Sequence, residues 1–389
     1  NSNKPANATS NVAGTTANST HTYNEAKNLT ANGYSLAGWT FAGWNSKADG
    51  TGTNYTNGQS VTNLTTGTGT VTLYAKWTAN TNVAYKVQHW QLKVAGTEGT
   101  HNTTNYDLKD TENLTGTADS QVTPALKTYT GFEAEQSATQ VTILGDGSLV
   151  VNYYYKRSTY TLTLTKGTGI SAVSNGGTST TSAKEYRYGQ SVAIDSTVGT
   201  GYTWSKWTKV TGTTPSTFAQ GTKSQTIVMG AGNVTLRADA TANALTFNAQ
   251  SKNSYYNTSA KTVSITGASN GTGSYTYSIT SQVLSGQTTQ LTNFTISGTT
   301  ITIAGSTPVG VYKVKVKAVD NGSAAEKEAE MTITVRYPKL TLNGNNGTVT
   351  HGKGIEYYKN GNIKYDGEFV NGKYEGNGKY IYERGNYYI

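Results

Sequence analysis

The chain has 389 residues, 34% of them apolar and 14% charged, with 28 Tyr, no Cys and a formal net charge of +9. Low charge with many Thr and Tyr excludes a disordered chain, which is typically charged and poor in aromatics, and the missing cysteine excludes a disulfide framework. No stretch reaches the about 18–20 apolar residues of a membrane-spanning helix. The basic residues are scattered, with no run beyond Lys156-Arg157, so they read as a solubilising surface, and no nucleic-acid partner is expected. No long stretch keeps the 3.6-residue period of a helix. The sequence therefore predicts an all-β chain, and its length predicts several domains.

Residues 1–20 are Asn, Ser, Thr and Ala with little to bury, and read as a polar tail or linker. Such a Thr-rich segment could also add as a strand to a neighbour's sheet edge. Asn at position 1, with no signal peptide ahead of it, reads as a processed chain or a fragment.

Residues 21–79 form a first module. Trp39, Phe41 and Trp44 crowd beside Gly38 and Gly43, and aromatic rings carry much burial per residue. Turn signals follow at Asp49-Gly50 and Asn57-Gly58. Val71-Thr-Leu-Tyr-Ala-Lys-Trp77 alternates, which predicts a strand with Val71, Leu73, Ala75 and Trp77 on one face. Residues 80–158 form a second module, opening on Tyr85-Lys-Val-Gln-His-Trp-Gln-Leu92 and closing on Leu149-Val-Val-Asn-Tyr-Tyr-Tyr-Lys156. Its His89 lies within a strand pattern and reads as structural.

Residues 159–242 repeat the first module. Gly201-Tyr-Thr-Trp-Ser-Lys-Trp207 matches Gly38-Trp-Thr-Phe-Ala-Gly-Trp44, and the closing strands match at the same offset of 163 residues. Trp204 and Trp207 stand where Phe41 and Trp44 stand, and Ala240 replaces Trp77. Residues 243–337 show seven short strand patterns, Leu245–Phe247, Thr262–Ile265, Tyr275–Ile279, Phe294–Ile296, Thr300–Ile303, Val311–Val319 and Met331–Val335, separated by Gly, Asn and Ser turns with the rest read as loop, as a β-sandwich needs. In Val311-Tyr-Lys-Val-Lys-Val-Lys-Ala-Val319 the apolar residues point inward and the lysines out. Asp320, Glu326, Glu328 and Glu330 lack a calcium-loop pattern and read as a solvated charged loop. Residues 338–389 end in Tyr365-Asp-Gly-Glu-Phe-Val-Asn-Gly-Lys-Tyr-Glu-Gly-Asn-Gly-Lys-Tyr380, a glycine-punctuated hairpin pattern carried by Tyr365, Gly367, Phe369, Gly372, Gly376 and Gly378. An earlier copy ends at His351–Tyr358, and Tyr387–Ile389 reads as the start of another.

These motifs carry family resemblances. Gly38 to Trp44, Asp49 to Tyr55 and Thr70 to Trp77 resemble the three parts of the internalin-type B repeat (Listeria–Bacteroides repeat). That resemblance implies a small β-grasp-like fold on a bacterial surface. The family opens with a longer first strand, of which His21-Thr-Tyr-Asn24 is the expected remnant. The second module is similar to mucin-binding-protein-type repeats of Gram-positive surface proteins, residues 243–337 resemble an immunoglobulin-like or cadherin-like domain, and Tyr365–Tyr380 fits the MORN repeat.

Chemistry is sparse. His21, His89, His101 and His351 lie in separate segments without metal-ligand spacing. No nucleophile elbow, zinc-protease helix or phosphate loop is present. We expect no catalytic residue, no metal and no cofactor. Two functions fit. One is a secreted, non-enzymatic adhesin or adhesin stalk at the bacterial cell surface, meeting a host or matrix protein or a glycan. The other is a filament subunit whose copies join head to tail into a homopolymer, the 1–20 segment donating a strand.

Overall fold

The computed structural model describes residues 1–337, 340–341, 351–359, 361–382 and 387–388. The expected boundary between 337 and 338 borders residues outside this set, and Ile389 lies outside it. Among the described residues there is no helix, and the chain is all-β. Each sheet draws its strands from one stretch of sequence.

In the first stretch, Trp39–Asn45 is the centre of a sheet between Asn54–Tyr55 and Tyr74–Ala79. Two short ladders join Ala13–Gly14 to Tyr34–Ser35 and Lys27–Asn28 to Ser60–Val61. In the second, Val83–Leu92 lies parallel to Val150–Arg157 and antiparallel to Tyr106–Gly116. Alternation decides its faces: Val83, Tyr85, Val87 and His89 are buried, and Ala84 and Lys86 are exposed. The third stretch has two four-stranded sheets. One orders Lys184–Arg187, Thr159–Lys166, Val234–Ala242 and Tyr202–Gly212. The other centres on Ile170–Asn175 and Ser191–Val198.

The fourth stretch is a sandwich. Gln250–Tyr255, Glu326–Arg336, Gly310–Asp320 and Tyr275–Leu284 form one sheet, and Lys261–Ser264, Thr300–Ile303 and Phe294–Ser297 form the other. Tyr312, Val314, Val316 and Ala318 line its core. Two expectations change here. The segment around Leu245–Phe247 makes only an isolated bridge at Thr246, while the polar Gln250–Tyr255 pairs in parallel with Glu326–Arg336. Glu326, Glu328 and Glu330 are strand residues, not loop residues. Each pairs with a lysine of the neighbouring strand, at 3.1 Å to Lys317, 3.5 Å to Lys315 and 2.8 Å to Lys313.

The last stretch is a sheet of Leu340–Thr341, His351–Tyr357, Ile363–Val370, Lys373–Ile381 and Tyr387–Tyr388. Val370 pairs with Lys373 across the two-residue turn Asn371-Gly372, whose φ angles of 51° and 77° suit the right-handed twist of a hairpin.

Candidate functional site

The first and third stretches share one sheet register. Trp39 pairs with Ala79, Phe41 with Trp77, Gly43 with Lys76, Trp44 with Ala75 and Asn45 with Tyr74. In the third stretch Tyr202 pairs with Ala242, Trp204 with Ala240, Lys206 with Asp239, Trp207 with Ala238 and Thr208 with Arg237. Every pair moves by the same offset, and so does the bulge, between Phe41 and Gly43 and between Trp204 and Lys206. Phe41 meets Trp44 edge-on at 5.0 Å, and Trp204 meets Trp207 edge-on at 5.7 Å. Trp44 and Trp207 are the buried indoles, while Phe41, Trp77 and Trp204 are half-buried.

The same duplication builds two joints with the stretches that follow. Gly38 and Gly201 have φ of 77° and 83°, and a Cβ on either would lie 2.5 Å from the next stretch, against Gly145 Cα and against Gly271 C and Thr272 N. Only glycine allows both that backbone and that approach. Asn80 N donates to Gly38 O and Asn243 N to Gly201 O, each at 2.8 Å. Thr40 Oγ1 and Thr203 Oγ1 each donate to the matching asparagine at 2.6 Å. The aromatic after each glycine reaches across. Trp39 Nε1 donates to Asp119 Oδ2 at 2.7 Å and packs on the second core, and Tyr202 Oη donates to Gly322 O at 3.1 Å. Trp39 is thus a joint residue more than a core residue of its own sheet.

A buried aspartate backs each joint, and sequence reasoning found neither in that role. Asp119 also accepts from Thr9 Oγ1. Asp320, expected in a solvated loop, is wholly buried. Burial alone pushes its carboxyl up, but bonds from the Ser323 and Thr272 hydroxyls and backbone nitrogens outweigh that and hold it at about 2. The only available signal was position, since Asp119 lies in a turn and Asp320 ends its strand just before one. Between the second and third stretches an arginine plays the corresponding part. Arg157 donates to Leu92 O at 2.7 Å and Tyr188 O at 2.8 Å, with its guanidinium 4.9 Å over Phe132. Arg187 donates to Gly96 O at 2.8 Å.

The two repeats differ at their opening strand. Thr159–Lys166 runs parallel to Val234–Ala242. In the first repeat the chain supplies Asn1 to Asn3 at this edge. Asn1 N donates to Leu73 O at 2.7 Å, Ala75 N to Asn1 O at 2.8 Å, and Trp77 Nε1 to Ser2 O at 2.9 Å. This corrects two expectations. The 1–20 segment is not a free tail, being bonded to its own neighbours here and through Ala13–Gly14. The remnant of the opening strand is at Asn1, whereas His21 to Asn24 makes no strand. The closing strand changes too: it starts at Tyr74, and Val71, with no strand beside it, is 39% exposed.

His89 is wholly buried, with Nδ1 2.8 Å from Tyr155 Oη and Nε2 2.7 Å from Glu112 Oε1. In the last sheet Tyr365 lies over Gly367 and Gly378. A Cβ on Gly378 would sit 2.1 Å from Tyr365 Oη, and one on Gly367 2.6 Å from the same ring. Phe369 is buried edge-on to Tyr365 at 5.1 Å, and Tyr374 stacks on Tyr365 at 4.1 Å. Gly372 and Gly376 both have positive φ. These two hairpin glycines and the ring-facing pair thus serve different needs. Among the described residues no group of three His, Cys, Asp or Glu could hold a metal, and no helix is long and apolar enough to cross a membrane.

Residues 349–363 and 365–387 match the MORN repeat family. No curated protein matches the chain. Among solved structures, the Bacillus anthracis TIE protein is similar at 8% identity and a TM-score of 0.27, over 68% of this chain and 53% of that one. The chain thus spans about half the length of that structure. A Dscam structure addressing isoform specificity is similar at 10% identity and a TM-score of 0.19, over 64% of this chain and 70% of that one. Drosophila N-cadherin EC1-4 is similar at 10% identity and a TM-score of 0.18, over 60% and 68%. The fold is read from the strand pairings, not from these likenesses.

Proposed function

We propose that the chain is a non-enzymatic stalk of a secreted bacterial surface adhesin, built to hold an extracellular contact away from the cell. The observation that carries this reading is the repeated joint: the same glycine, asparagine and bridging aromatic fasten two related sheets to two unrelated neighbours. Packed joints resist the free hinging that flexible linkers allow, which suits a spacer. The internalin-type and mucin-binding-type resemblances in the sequence support a bacterial surface setting, with a host or matrix protein or a glycan as partner. Negative-stain microscopy and small-angle scattering of the purified chain test it. An elongated particle with a narrow distribution of joint angles is expected, and a compact globule of 389 residues would overturn the reading.

A further inference from the structure

Residues 3–16 leave the first stretch, reach the second and come back. Asn3 Nδ2 donates to Ala48 O at 3.0 Å and to Ala75 O at 3.1 Å, which anchors one end on the first stretch. Ala13 and Gly14 pair with Ser35 and Tyr34, and Thr16 Oγ1 accepts from Gly33 N at 2.9 Å, which anchors the other end there too. Between the anchors the chain turns. Pro5 fixes its own φ, Ala8 N donates to Pro5 O at 3.1 Å, and Lys4 Nζ donates to Asn11 Oδ1 at 3.4 Å. At the tip of the turn stand Ala8, which is 6% exposed, and Thr9, whose hydroxyl donates to Asp119 of the second stretch.

The two joints built on the duplicated sheets therefore differ in where the aspartate finds its donors. Asp119 accepts from Trp39 Nε1 and Thr9 Oγ1, both of the first stretch. Asp320 accepts from the hydroxyls and backbone nitrogens of Thr272 and Ser323, both of its own stretch. A buried carboxylate is costly without donors, and hydrogen bonds to a carboxylate are stronger than those between neutral groups. Parting the first stretch from the second breaks both bonds to Asp119. Parting the third from the fourth leaves Asp320 satisfied and breaks the neutral bond from Tyr202 Oη to Gly322 O. At the offset of the repeat, residues 166–179 correspond to 3–16. They build the second sheet of the third stretch, and among the described residues none of them bonds to the fourth.

We propose that residues 3–16 are a strap that locks the first joint, so that the chain bends first at the joint between the third and fourth stretches. Coupling of this kind is reciprocal. A first joint that opens frees the tip of the strap, and a strap lifted from Asp119 loosens the joint. Of the two donors Thr9 is the reachable one, because it is exposed, whereas Trp39 packs on the second core. The strap is thus the handle by which the first joint is stiffened or released. The inference goes beyond the stalk reading and holds whether or not the chain serves as one.

The test uses the full chain, which has no cysteine, so introduced pairs carry spin labels at defined sites. Lys76→Cys with Thr111→Cys spans the first joint, and Lys209→Cys with Ser278→Cys spans the other, all at exposed strand positions. The first pair is expected to give the narrower distance distribution. Thr9→Val removes the hydroxyl at an exposed site, so circular dichroism should not change. It should widen the first distribution and leave the second as it was. Hydrogen exchange at Ala8 and Ala13–Gly14 should rise about threefold or more, as loss of a bond to a carboxylate implies. Thr9→Ser keeps the hydroxyl and should hold the first distribution narrow, and Tyr202→Phe should widen the second alone. A first pair as broad as the second in the native chain, unchanged distances in Thr9→Val, or Thr9→Ser as broad as Thr9→Val would each overturn the proposal.

Discussion

Trp44→Ala and Trp207→Ala make a controlled comparison, because both indoles lie opposite an alanine at one register of the same sheet. Removing a buried Trp costs about 3–5 kcal/mol, with the spread set by how completely the site is packed. Trp207 is wholly enclosed in a core that includes Leu162, Leu164, Ile194 and Leu236, so its loss belongs at the upper end. Its removal also strands Lys223 O, a further cost of about 1 kcal/mol. Trp44 lies in a thinner core, with Leu29, Val61 and Ala75 as its other buried residues, and its Nε1 has no hydrogen bond to lose, so its loss belongs near 3 kcal/mol. The expected gap is about 3 kcal/mol, or about a hundredfold in local opening, since about 1.4 kcal/mol is a factor of ten. Hydrogen exchange read on peptides covering Tyr74–Ala79 and Val234–Ala242 isolates each sheet within the intact chain. Equal losses, or a larger loss at Trp44, would refute the claim that the two cores are filled differently.

Gly38→Ala and Gly201→Ala should each weaken one joint, since a non-glycine residue at such positive φ costs about 1–3 kcal/mol and its Cβ meets the next stretch. Scattering should show a wider particle distribution with both flanking sheets intact, and unaltered scattering would count against a packed joint. Asp320 gives the sandwich an acid limit: its carboxyl is depressed to about 2, so its contribution is complete above the ordinary carboxylate value near 3.9 and is lost as pH falls toward 2. Denaturant midpoints should fall over that window in the native chain, and Asp320→Asn should flatten that fall. Gly378→Ala should push Tyr365 off its seat and melt the last sheet first, visible as faster exchange in Lys373–Ile381; protection equal to the native chain would show that the ring does not need the glycine.

Much of the β architecture could be read from period-two alternation, because a strand buried on one face has little freedom in where its apolar residues go. Val311 to Val319 and Val83 to Leu92 are of this kind. The duplicated register was also visible, since Gly38 to Trp44 and Gly201 to Trp207 carry the same spacing. What failed was anything decided by a neighbour. Val71-Thr-Leu reads as strand in sequence, but the strand begins only at Tyr74, where Asn1 pairs beside it. Gln250–Tyr255 reads as loop, yet a parallel partner makes it a strand despite its polar side chains.

The joints show the same limit from the other side. A lone Asp at or beside a turn is ordinarily solvated, and nothing in the local sequence separates Asp119 or Asp320 from that background. Burial of a carboxylate is costly unless hydrogen bonds compensate it, and the compensating donors are Trp39 and Thr9 for the first and Thr272 and Ser323 for the second. Three of these four come from a distant part of the chain. The requirement is therefore a property of two segments meeting, which the repeat of Gly38 at Gly201 hints at and only the assembled backbone supplies.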